Sequence, residues 1–367
     1  MKEVITCESV FRGHPDKVCD QISDAILDAC MEQDKNSRVA IECAIKDDMV
    51  WLFGEISTKA NIDYKGVAKR VLCDVGYEGE FHILEKISKQ SSDIALGVDK
   101  EGAGDQGMMF GYAEDNNSNF MPIPLMLAHE ISRRMEDLRK SKYTYLFGSD
   151  GKCQVSATYE DGKLISIDTI IVSTQTKDDV LIEDLEQIIK NEVLNYFNYD
   201  LSNTRILINP TGAFVIGGSF ADSGLTGRKI IVDSYGGVAH HGGGAFSGKD
   251  PSKVDRSGAY YCRYVAKAIV KAGLAKRCEV GVAYSIGVAE PVSISINTFG
   301  TGNDEALVEL IKNNFDFRPA SIKRELNLLN TKYEPLACYG HFGRDDLDVA
   351  WEQVDEKAKA LQEAQKT

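Results

Sequence analysis

The sequence predicts an α+β fold of three similar α/β units, each a β-sheet covered by helices. The chain has 367 residues, which suits two or three domains of ordinary size, and 43% of them are hydrophobic, which is enough for real cores. The order helix, strand, strand, helix also occurs three times along the chain. Because an apolar sheet face must be covered, each repeat should bury one face of its strands under its helices.

The first unit follows from residues 16–75. Residues 16–33 place apolar side chains at helical spacing, with Asp16 available as the helix cap. Residues 38–46 and 49–57 are β-rich and are separated by two aspartates, so they should pair as a hairpin. A second helix is predicted at about 63–75.

The second and third units repeat this order. The second has helices at 121–140 and 180–196 that flank strands 152–159 and 163–174, with an Asp161-Gly162 turn between the strands. The third has helices at 255–273 and 303–314 that flank strands 278–286 and 291–298. The 345–366 tail, rich in Asp, Glu, Lys and Ala, is expected to be a solvated closing helix.

Composition predicts a cytoplasmic protein that binds neither nucleic acid nor membrane. The formal net charge is -14, no apolar run could span a bilayer, and the amino-terminal residues lack a signal peptide's apolar stretch. Nine cysteines, an odd number without any C-x-x-C, favour small core residues in a reducing compartment over disulfides or a zinc site.

Residues 242–267 carry the clearest functional pattern. A glycine run leads directly to Lys249, Lys253 and Arg256 and then to a predicted helix. Glycines let backbone N–H groups approach an anion, a helix start favours negative charge, and lysines supply point charges. In an acidic protein this local cluster predicts a site for a small polyanion.

Two familiar nucleotide motifs fail in this sequence. Gly243, Gly248 and Lys249 match part of a phosphate loop, but Asp250 stands where a metal-binding hydroxyl is needed, and no apolar strand precedes it. The G-x-G-x-x-G at 102–107 follows no predicted strand and opens no capped helix, which disfavours a dinucleotide site.

Several acidic residues and one histidine are candidates for metal or ligand binding, each with a structural alternative. Asp16 and Asp255 could bind Mg²⁺ or simply cap helices, and His14 could be functional or a surface residue. Glu42 and Glu55, on the first hairpin, are expected to be buried or half-buried, with a metal, a ligand ammonium or a lysine as partner. Asp222 is equally ambiguous, whereas the further cations are Lys152, Arg228 and Lys229.

No motif for covalent catalysis or for a zinc hydrolase is present. Carboxylates for Mg²⁺ and lysines for phosphate oxygens suit reactions in which charge builds up on phosphate, and these need positioning and electrostatics more than a base. The residues alone therefore predict a nucleotide-dependent transferase.

Four segments make the chain resemble the S-adenosylmethionine synthetase (methionine adenosyltransferase) family. They are GHPDKVCDQISDAILDA at 13–29, GAGDQGMMFGYA at 102–113, GLTGRKIIVDSYGG at 224–237 and GGGAFSGKDPSKVDRS at 242–257. The resemblance implies three domains in a pseudo-threefold arrangement, at 1–95, 102–219 and 220–367, with an active-site loop at 96–108. It also implies a homodimer with shared active sites, which can pair further into a homotetramer.

The resemblance also implies the reaction and the roles of individual residues. The sulfur of L-methionine would attack the ribose 5′ carbon of ATP, and the expelled triphosphate would be cleaved to pyrophosphate and phosphate. His14, Lys249 and Arg228 would be catalytic, two Mg²⁺ ions would lie at Asp16 and Asp255, and one K⁺ at Glu42. ATP would contact His14, Asp150, Lys152, Ala213, Phe214, Asp222, Arg228, Lys229, Ala245 and Lys249. Methionine would contact Glu55, Gln90, Asp222 and Lys253, and Asp105 would complete the substrate pocket.

Three departures from the family pattern stand out. Ala213 replaces a common Arg, Phe11-Arg12 replaces a usual Ser-Glu, and the segment from Gly97 to Gly102 is several residues shorter than the common bacterial form. Arg12 could offset the cation lost at position 213. The alternatives are another ATP-dependent ligase or kinase with the same phosphate site, and an inactive relative that binds or regulates; retention of His14, Asp16, Lys249 and Asp255 together argues against the latter.

Overall fold

The computed structural model describes residues 2–89, 102–177 and 180–365. Its α+β architecture confirms the predicted class, with three sheets flanked by helices. None of the helices in these ranges is long and apolar enough to cross a membrane.

The elements of the amino-terminal third match the prediction closely and add two strands. β1 spans Lys2–Val10, α1 Pro15–Gln33, β2 Arg38–Lys46, β3 Met49–Ser57, α2 Tyr64–Val75 and β4 His82–Ser88. The α2 helix begins where the Asp63 side chain accepts a hydrogen bond from the Gly66 N–H, and it ends at Gly76 in the left-handed conformation. The predicted hairpin forms between β2 and β3.

The middle third contains the second predicted repeat. β5 spans Gly107–Glu114, α3 Ile123–Lys140, β6 Phe147–Glu160, β7 Lys163–Thr176, α4 Ile182–Ile188 and β8 Arg205–Ile208. The helix predicted at 180–196 continues after α4 as a π turn over Ile189–Val193 and a 3₁₀ turn over Leu194–Tyr196. Its residues Leu185, Ile189 and Val193, spaced by four, are all buried, so the segment keeps one apolar face through the change of helix type.

The last third contains the third repeat and the closing helix. β9 spans Gly224–Leu225, α5 Ile230–Asp233, α6 Val254–Lys271, β10 Arg277–Tyr284, β11 Ser293–Asn297, α7 Asp304–Asn314, α8 Pro319–Glu325 and α9 Asp355–Ala364. The tail is not merely solvated, contrary to the prediction: Trp351 and Leu361 are fully buried, and Glu352 forms ion pairs with Arg263 and Lys267. The sequence prediction was based on the high charge of the 345–366 segment and therefore missed these buried residues.

The three sheets exchange strands in a cycle. Their strand orders are β1-β6-β7-β8, β11-β10-β5 and β4-β3-β2-β9. The first strand of the chain thus joins the sheet of the middle repeat, β5 joins the sheet of the last repeat, and β9 returns to the sheet of the first. Each repeat is therefore tied to the next by backbone hydrogen bonds, and β9 carries a predicted phosphate segment back to α1.

Two hydrophobic cores lie between the sheets and the helices. One collects apolar residues of the first and last repeats together with part of the middle one, and the other lies between α3 and the β6–β7 hairpin. All nine cysteines are free, and eight of them are buried, as the composition predicted.

Candidate active site

His14 is a buried helix cap and not a surface residue. It is the N-cap of α1, and its Nδ1 accepts a hydrogen bond of 3.2 Å from the Asp16 backbone N–H. Burial and then the charge of Lys229 lower the pKa of His14 to about 3, so the imidazole is neutral near pH 7. Because Nδ1 accepts, the proton of the neutral ring lies on Nε2, which can donate to a ligand.

The loop that carries His14 is fixed by three hydrogen bonds to two neighbouring segments. Phe11 N–H donates to the Gly151 carbonyl, Gly13 N–H donates to the Ser149 carbonyl, and Tyr77 Oη donates to the Gly13 carbonyl. The histidine therefore lies between the start of α1, the end of α2 and the start of β6, beside the predicted ligands Asp150 and Lys152.

Asp16 is a fully buried carboxylate surrounded by donors. Oδ1 accepts from the Leu225 N–H at 2.9 Å and lies 3.0 Å from Arg228 Nε, whereas Oδ2 accepts from Lys229 Nζ at 2.6 Å. Burial opposes ionisation, but the hydrogen bonds from Lys229 and Leu225 outweigh it and lower the pKa of Asp16. The expectation that Asp16 caps α1 is wrong, since His14 takes that position and leaves the carboxylate free for the 224–229 segment.

A ladder of three aspartates on α1 holds both predicted phosphate segments. Asp16, Asp20 and Asp24 recur at every fourth position and accept backbone N–H groups of Leu225, Gly227 and Gly248 respectively. Residues four apart lie on one face of a helix, so this single face positions both segments. The sequence motifs indicated Asp16 but not Asp20 or Asp24. The spacing of four residues between these aspartates was the signal that could have indicated them.

The glycine run brings Lys249 against Asp255. Lys249 Nζ donates to Asp255 Oδ2 at 2.6 Å, and a Cβ at Gly244 would lie 2.2 Å from the Asp255 carboxyl carbon. Gly248, with a φ of 81°, lets its backbone approach Ile41, where a Cβ would lie 2.0 Å from the Ile41 carbonyl oxygen. Asp255 is in the first turn of α6, whose N-cap is Lys253, so Asp255 is not the cap of that helix.

The 224–229 and 242–257 segments, both predicted to bind phosphate, lie against the same edge of β2. Leu225 pairs with Ala44, Lys249 bridges to Ala40, and Gly248 accepts a hydrogen bond from the Ile41 N–H. The two segments also touch, because a Cβ at Gly227 would lie 2.5 Å from the Ala245 Cβ. The cations predicted from two separate stretches therefore belong to one site.

Buried groups beneath this edge hold the segments in place. Arg256 makes a bidentate pair with Asp24 and donates to the Lys249 carbonyl. Asp250, fully buried, accepts from Lys253 Nζ at 2.7 Å and from the Val39 N–H. Asp250 thus has a structural role at the position that had excluded a standard phosphate loop.

The middle repeat supplies a second wall of the candidate site. Asp150 Oδ2 accepts from the Gly218 N–H, and burial raises the pKa of this carboxyl to about 6. Lys152 is exposed on β6, close enough to His14 for its charge to lower the pKa of that histidine. Phe214 is half-buried and its carbonyl accepts from the Thr176 N–H, whereas Ala213 is exposed.

Sequence comparison assigns the chain to a family. The sequence models of the N-terminal, central and C-terminal domains of S-adenosylmethionine synthetase match residues 2–99, 100–214 and 216–353. The S-adenosylmethionine synthase of Finegoldia magna is 48% identical over 389 residues, which cover 98% of this chain and 99% of the relative.

The chain belongs to the S-adenosylmethionine synthetase family. Its activity is the synthesis of S-adenosylmethionine, a methionine adenosyltransferase reaction. The resemblance first recognised in four short segments thus extends through the whole chain.

The carboxylates expected to serve K⁺ and methionine in this synthetase are not buried in the single chain, contrary to the prediction. Glu42 and Glu55 are exposed on the outward face of the β2–β3 hairpin, where Glu42 pairs with Phe53 and Glu55 with Ala40. Side chains alternate along a strand, so the apolar neighbours of Glu42 in the sequence point to the other face. That alternation is why apolar sequence neighbours misled the burial prediction.

The remaining predicted residues are more dispersed. Asp222 is exposed and accepts from the Ser223 N–H. Asp105 is also exposed, and Met108, three residues further along, touches the glycine run, since a Cβ at Gly242 would collide with the Met108 carbonyl. Gln90 and residues 96–101 of the expected active-site loop lie outside the described residues. Arg12 does not replace the cation missing at Ala213, since its Nε donates to Gln21 of α1 and the residue lines a cavity whose walls do not include Ala213.

Proposed function

We propose that the site makes S-adenosylmethionine by direct displacement, in which the methionine sulfur attacks the ribose 5′ carbon of ATP and expels triphosphate. The observation that carries this proposal is the pairing of Asp16 with Lys229 and of Asp255 with Lys249, each at 2.6 Å, on two touching backbone segments. Alternating carboxylates and lysines suit a polyphosphate whose oxygens bind lysines and whose metal ions bind carboxylates.

No general base is needed for this step. A thioether sulfur attacks as a neutral nucleophile and has no proton to lose, whereas negative charge builds up on the departing triphosphate. Lys249, Arg228 and Lys229 stabilise that charge, and the Nε2–H of neutral His14 donates to the oxygen that leaves carbon. The same cations hold the triphosphate while a water molecule attacks it and hydrolyses it to pyrophosphate and phosphate.

The carboxylates present fit two Mg²⁺ ions per site. Mg²⁺ is usually held by one or two carboxylates together with substrate phosphates, and no cluster of three acidic, His or Cys ligands occurs among the described residues. Asp16 and Asp255 each provide one carboxylate. When bound, the ions would neutralise phosphate charge and orient the chain of phosphates.

The outward face of the first sheet supports a homodimer with shared sites. Trp51 is 37% exposed and Leu84 50% exposed on the face that carries Glu42 and Glu55, and exposed apolar patches mark interaction surfaces. A second copy covering this face would enclose Glu42 for one K⁺ and Glu55 for the methionine ammonium. Gln90, Asp222 and Lys253 complete the methionine site, and Asp105 borders it.

The remaining assignments concern the nucleotide and the compartment. Phe214 stacks on adenine, and Ala213, Ala245, Asp150, Lys152 and Asp222 line the ATP site. The domain limits of 1–95, 102–219 and 220–367 remain part of the proposal. Nine free cysteines suit a reducing compartment and support a cytoplasmic location.

Product analysis tests the reaction. The protein is incubated with ATP, L-methionine, Mg²⁺ and K⁺, and the products are identified by mass spectrometry and ³¹P NMR. We expect the sulfonium product with equal amounts of phosphate and pyrophosphate, and no adenine nucleotide. Formation of ADP would indicate a kinase, and formation of AMP a ligase; either result would overturn the displacement mechanism.

A further inference from the structure

A cavity of about 710 Å³ lies against the face of α1 that carries Gln21, Ala25 and Glu32. Its walls come from Arg12, α1, α2, α3 and the 332–346 segment, and none of the residues that line it is a predicted substrate or metal ligand. Ala25, Ala29, Val67 and Pro335 provide an apolar part of the wall. The volume is in the range of pockets that bind small organic molecules.

Most charged groups of this cavity neutralise one another. The ion pairs in its wall are Arg70 with Glu334 at 2.7 Å, Lys140 with Glu136 at 3.1 Å, Arg344 with Asp346 at 2.8 Å, Arg133 with Asp346 at 3.5 Å and Lys332 with Glu32 at 3.7 Å. Asp28 accepts backbone N–H groups of Tyr333 and Glu334. Since these groups are already paired, they offer little attraction for a charged ligand.

In the described part of the chain, Arg12 is the cation of this wall without such a partner, and the exposed Asp137 is the carboxylate without one. It is half-buried, lines the cavity and has no carboxylate within ion-pair distance among the described residues. Its Nε donates to Gln21 Oε1 at 2.6 Å, which orients the guanidinium and leaves its two terminal nitrogens available. A partly desolvated guanidinium without a counter-ion is a binding site for an anion.

Tyr339 provides a second polar group in the same wall. Its hydroxyl is buried and has no hydrogen-bond partner among the described residues, and Arg133 stacks over its ring at 5.2 Å. A buried hydroxyl without a partner carries a free-energy cost that a ligand acceptor would remove. Arg12 and Tyr339 line the same cavity, and the positive charge of Arg12 partly counters the rise in the pKa of Tyr339 that burial causes.

We propose that this cavity is a second ligand site, distinct from the active site, that binds a small organic anion through Arg12 and Tyr339. The anionic group is a carboxylate or a phosphate ester, and a compact apolar body contacts the alanine, valine and proline wall. Binding is non-covalent: the nearby thiol of Cys338 is buried, and burial raises its pKa to about 12, so it is not a nucleophile at neutral pH.

The site also has a route to catalysis. Arg12 is two residues before His14, and the intervening Gly13 is hydrogen-bonded to both β6 and α2. A ligand that draws the Arg12 guanidinium into the cavity would shift the short 11–14 loop, which also carries His14. Occupancy is therefore expected to alter turnover at saturating substrate, without competing with ATP.

Binding of two probes, benzoate and phenyl phosphate, tests the proposal in the full-length protein by ligand-observed NMR and calorimetry. At least one probe should bind the parent protein. Arg12→Gln should weaken binding about tenfold, the loss of one charge-assisted contact, and Tyr339→Phe about threefold. The better probe shows whether a carboxylate or a phosphate ester is preferred.

A Lys249→Met variant separates this cavity from the active site. Binding that persists in Lys249→Met and is weakened in Arg12→Gln supports the second site. Loss of binding in Lys249→Met with Arg12 intact would place the anion in the active site and overturn the proposal, as would unchanged affinity in Arg12→Gln or no binding of either probe. If Arg12→Gln does not fold, Tyr339→Phe, which removes only an unpaired hydroxyl, decides between the same outcomes. Failure of the adenosyl transfer itself would leave these binding results unaffected.

Discussion

Each key carboxylate at the active site faces a cation. Asp16 lies against Lys229 and Arg228, and Asp255 against Lys249, so positive and negative charges are held close together at fixed backbone positions. Preorganised charges of this kind act on charge that develops during a reaction and need little rearrangement as it proceeds. Individual substitutions can therefore separate binding of ATP from catalysis.

Lys249→Met keeps most of the side-chain length and removes the charge. Because negative charge on the triphosphate grows as the carbon–oxygen bond breaks, we expect turnover to fall by about 10²–10³ with a much smaller change in the KM for ATP. Steady-state kinetics measures both constants. If the KM for ATP rises by the whole factor while kcat is intact, Lys249 only anchors the ground state, and catalysis must be reassigned to His14.

Asp16→Asn and Asp255→Asn test the metal assignment. Replacement of a carboxylate by an amide weakens the hold on a hard cation, so each variant should need more Mg²⁺ for half-maximal activity and turn over more slowly. Circular dichroism checks that the fold is retained. Unchanged Mg²⁺ titrations in both variants would contradict the assignment.

Glu42→Gln and Glu55→Gln form a matched pair on one sheet face. We expect Glu42→Gln to lose activation by K⁺ and to retain slow turnover without it, whereas Glu55→Gln should raise the KM for methionine and leave K⁺ activation intact. Activity is measured across K⁺ and methionine concentrations. Absence of any K⁺ effect on the parent enzyme would remove the K⁺ assignment.

At the scale of elements, α1 is the organising helix of the site. Its amino-terminal end places His14, and its aspartate ladder holds the 224–229 and 248–250 segments against the edge of β2. Asp28, one turn further along, instead accepts N–H groups of Tyr333 and Glu334. The helix thus has three positions that hold the 224–229 and 248–250 segments and a fourth that holds the 333–334 segment.

Asp24→Asn should disturb the glycine segment specifically. It leaves the buried Arg256 without its counter-ion and weakens the bond to Gly248, so we expect a loss of about 3–5 kcal/mol in the free energy of unfolding. The KM for ATP should rise as Lys249 loses its support. Denaturant unfolding and kinetics measure the two effects.

Asp28→Asn is the matched control for this substitution. It should lower stability by about 1–3 kcal/mol, the cost of weakened bonds to buried N–H groups, and leave the KM for ATP unchanged. Equal kinetic effects of the two variants would show that the ladder acts only through general stability.

At the scale of the whole molecule, the cyclic exchange of strands ties the three repeats into one structure. β1, β5 and β9 each pair with a strand of another repeat, and the pairing of β9 brings the 224–229 segment of the last repeat to β2 of the first. Under the proposed function, the site also depends on a second copy of the chain. Glu42 and Glu55 lie on the same outward sheet face as Trp51 and Leu84 and stay exposed in the single chain.

Trp51→Glu should disrupt the proposed dimer. A charge buried between two apolar faces is costly, so we expect monomers by sedimentation velocity and loss of activity with a folded chain. Leu181→Glu, a change at an exposed apolar residue just before α4 and far along the chain from this face, is the control and should stay dimeric and active. A Trp51→Glu variant that remains a dimer would place the subunit interface elsewhere.

The sequence by itself determined the fold class, the threefold order of elements and the family, and it provided the predicted phosphate-binding residues. Those features depend on local periodicity, turn residues and contiguous motifs such as the run from Gly242 to Asp255. Such patterns can be recognised in the sequence without knowing the tertiary contacts of the residues. The helix and hairpin of the first repeat were placed to within about two residues for this reason.

Only the tertiary structure decided which residues act together. The strand exchange that joins β9 to β2, the roles of Asp20 and Asp24, the exposure of Glu42 and the direction of Arg12 all depend on contacts between residues far apart in the chain. A strand such as Lys2–Val10 has weak alternation of its own and is fixed by its long pairing with β6. Burial and charge pairing arise from neighbours in space, and a single sequence contains no direct record of those neighbours.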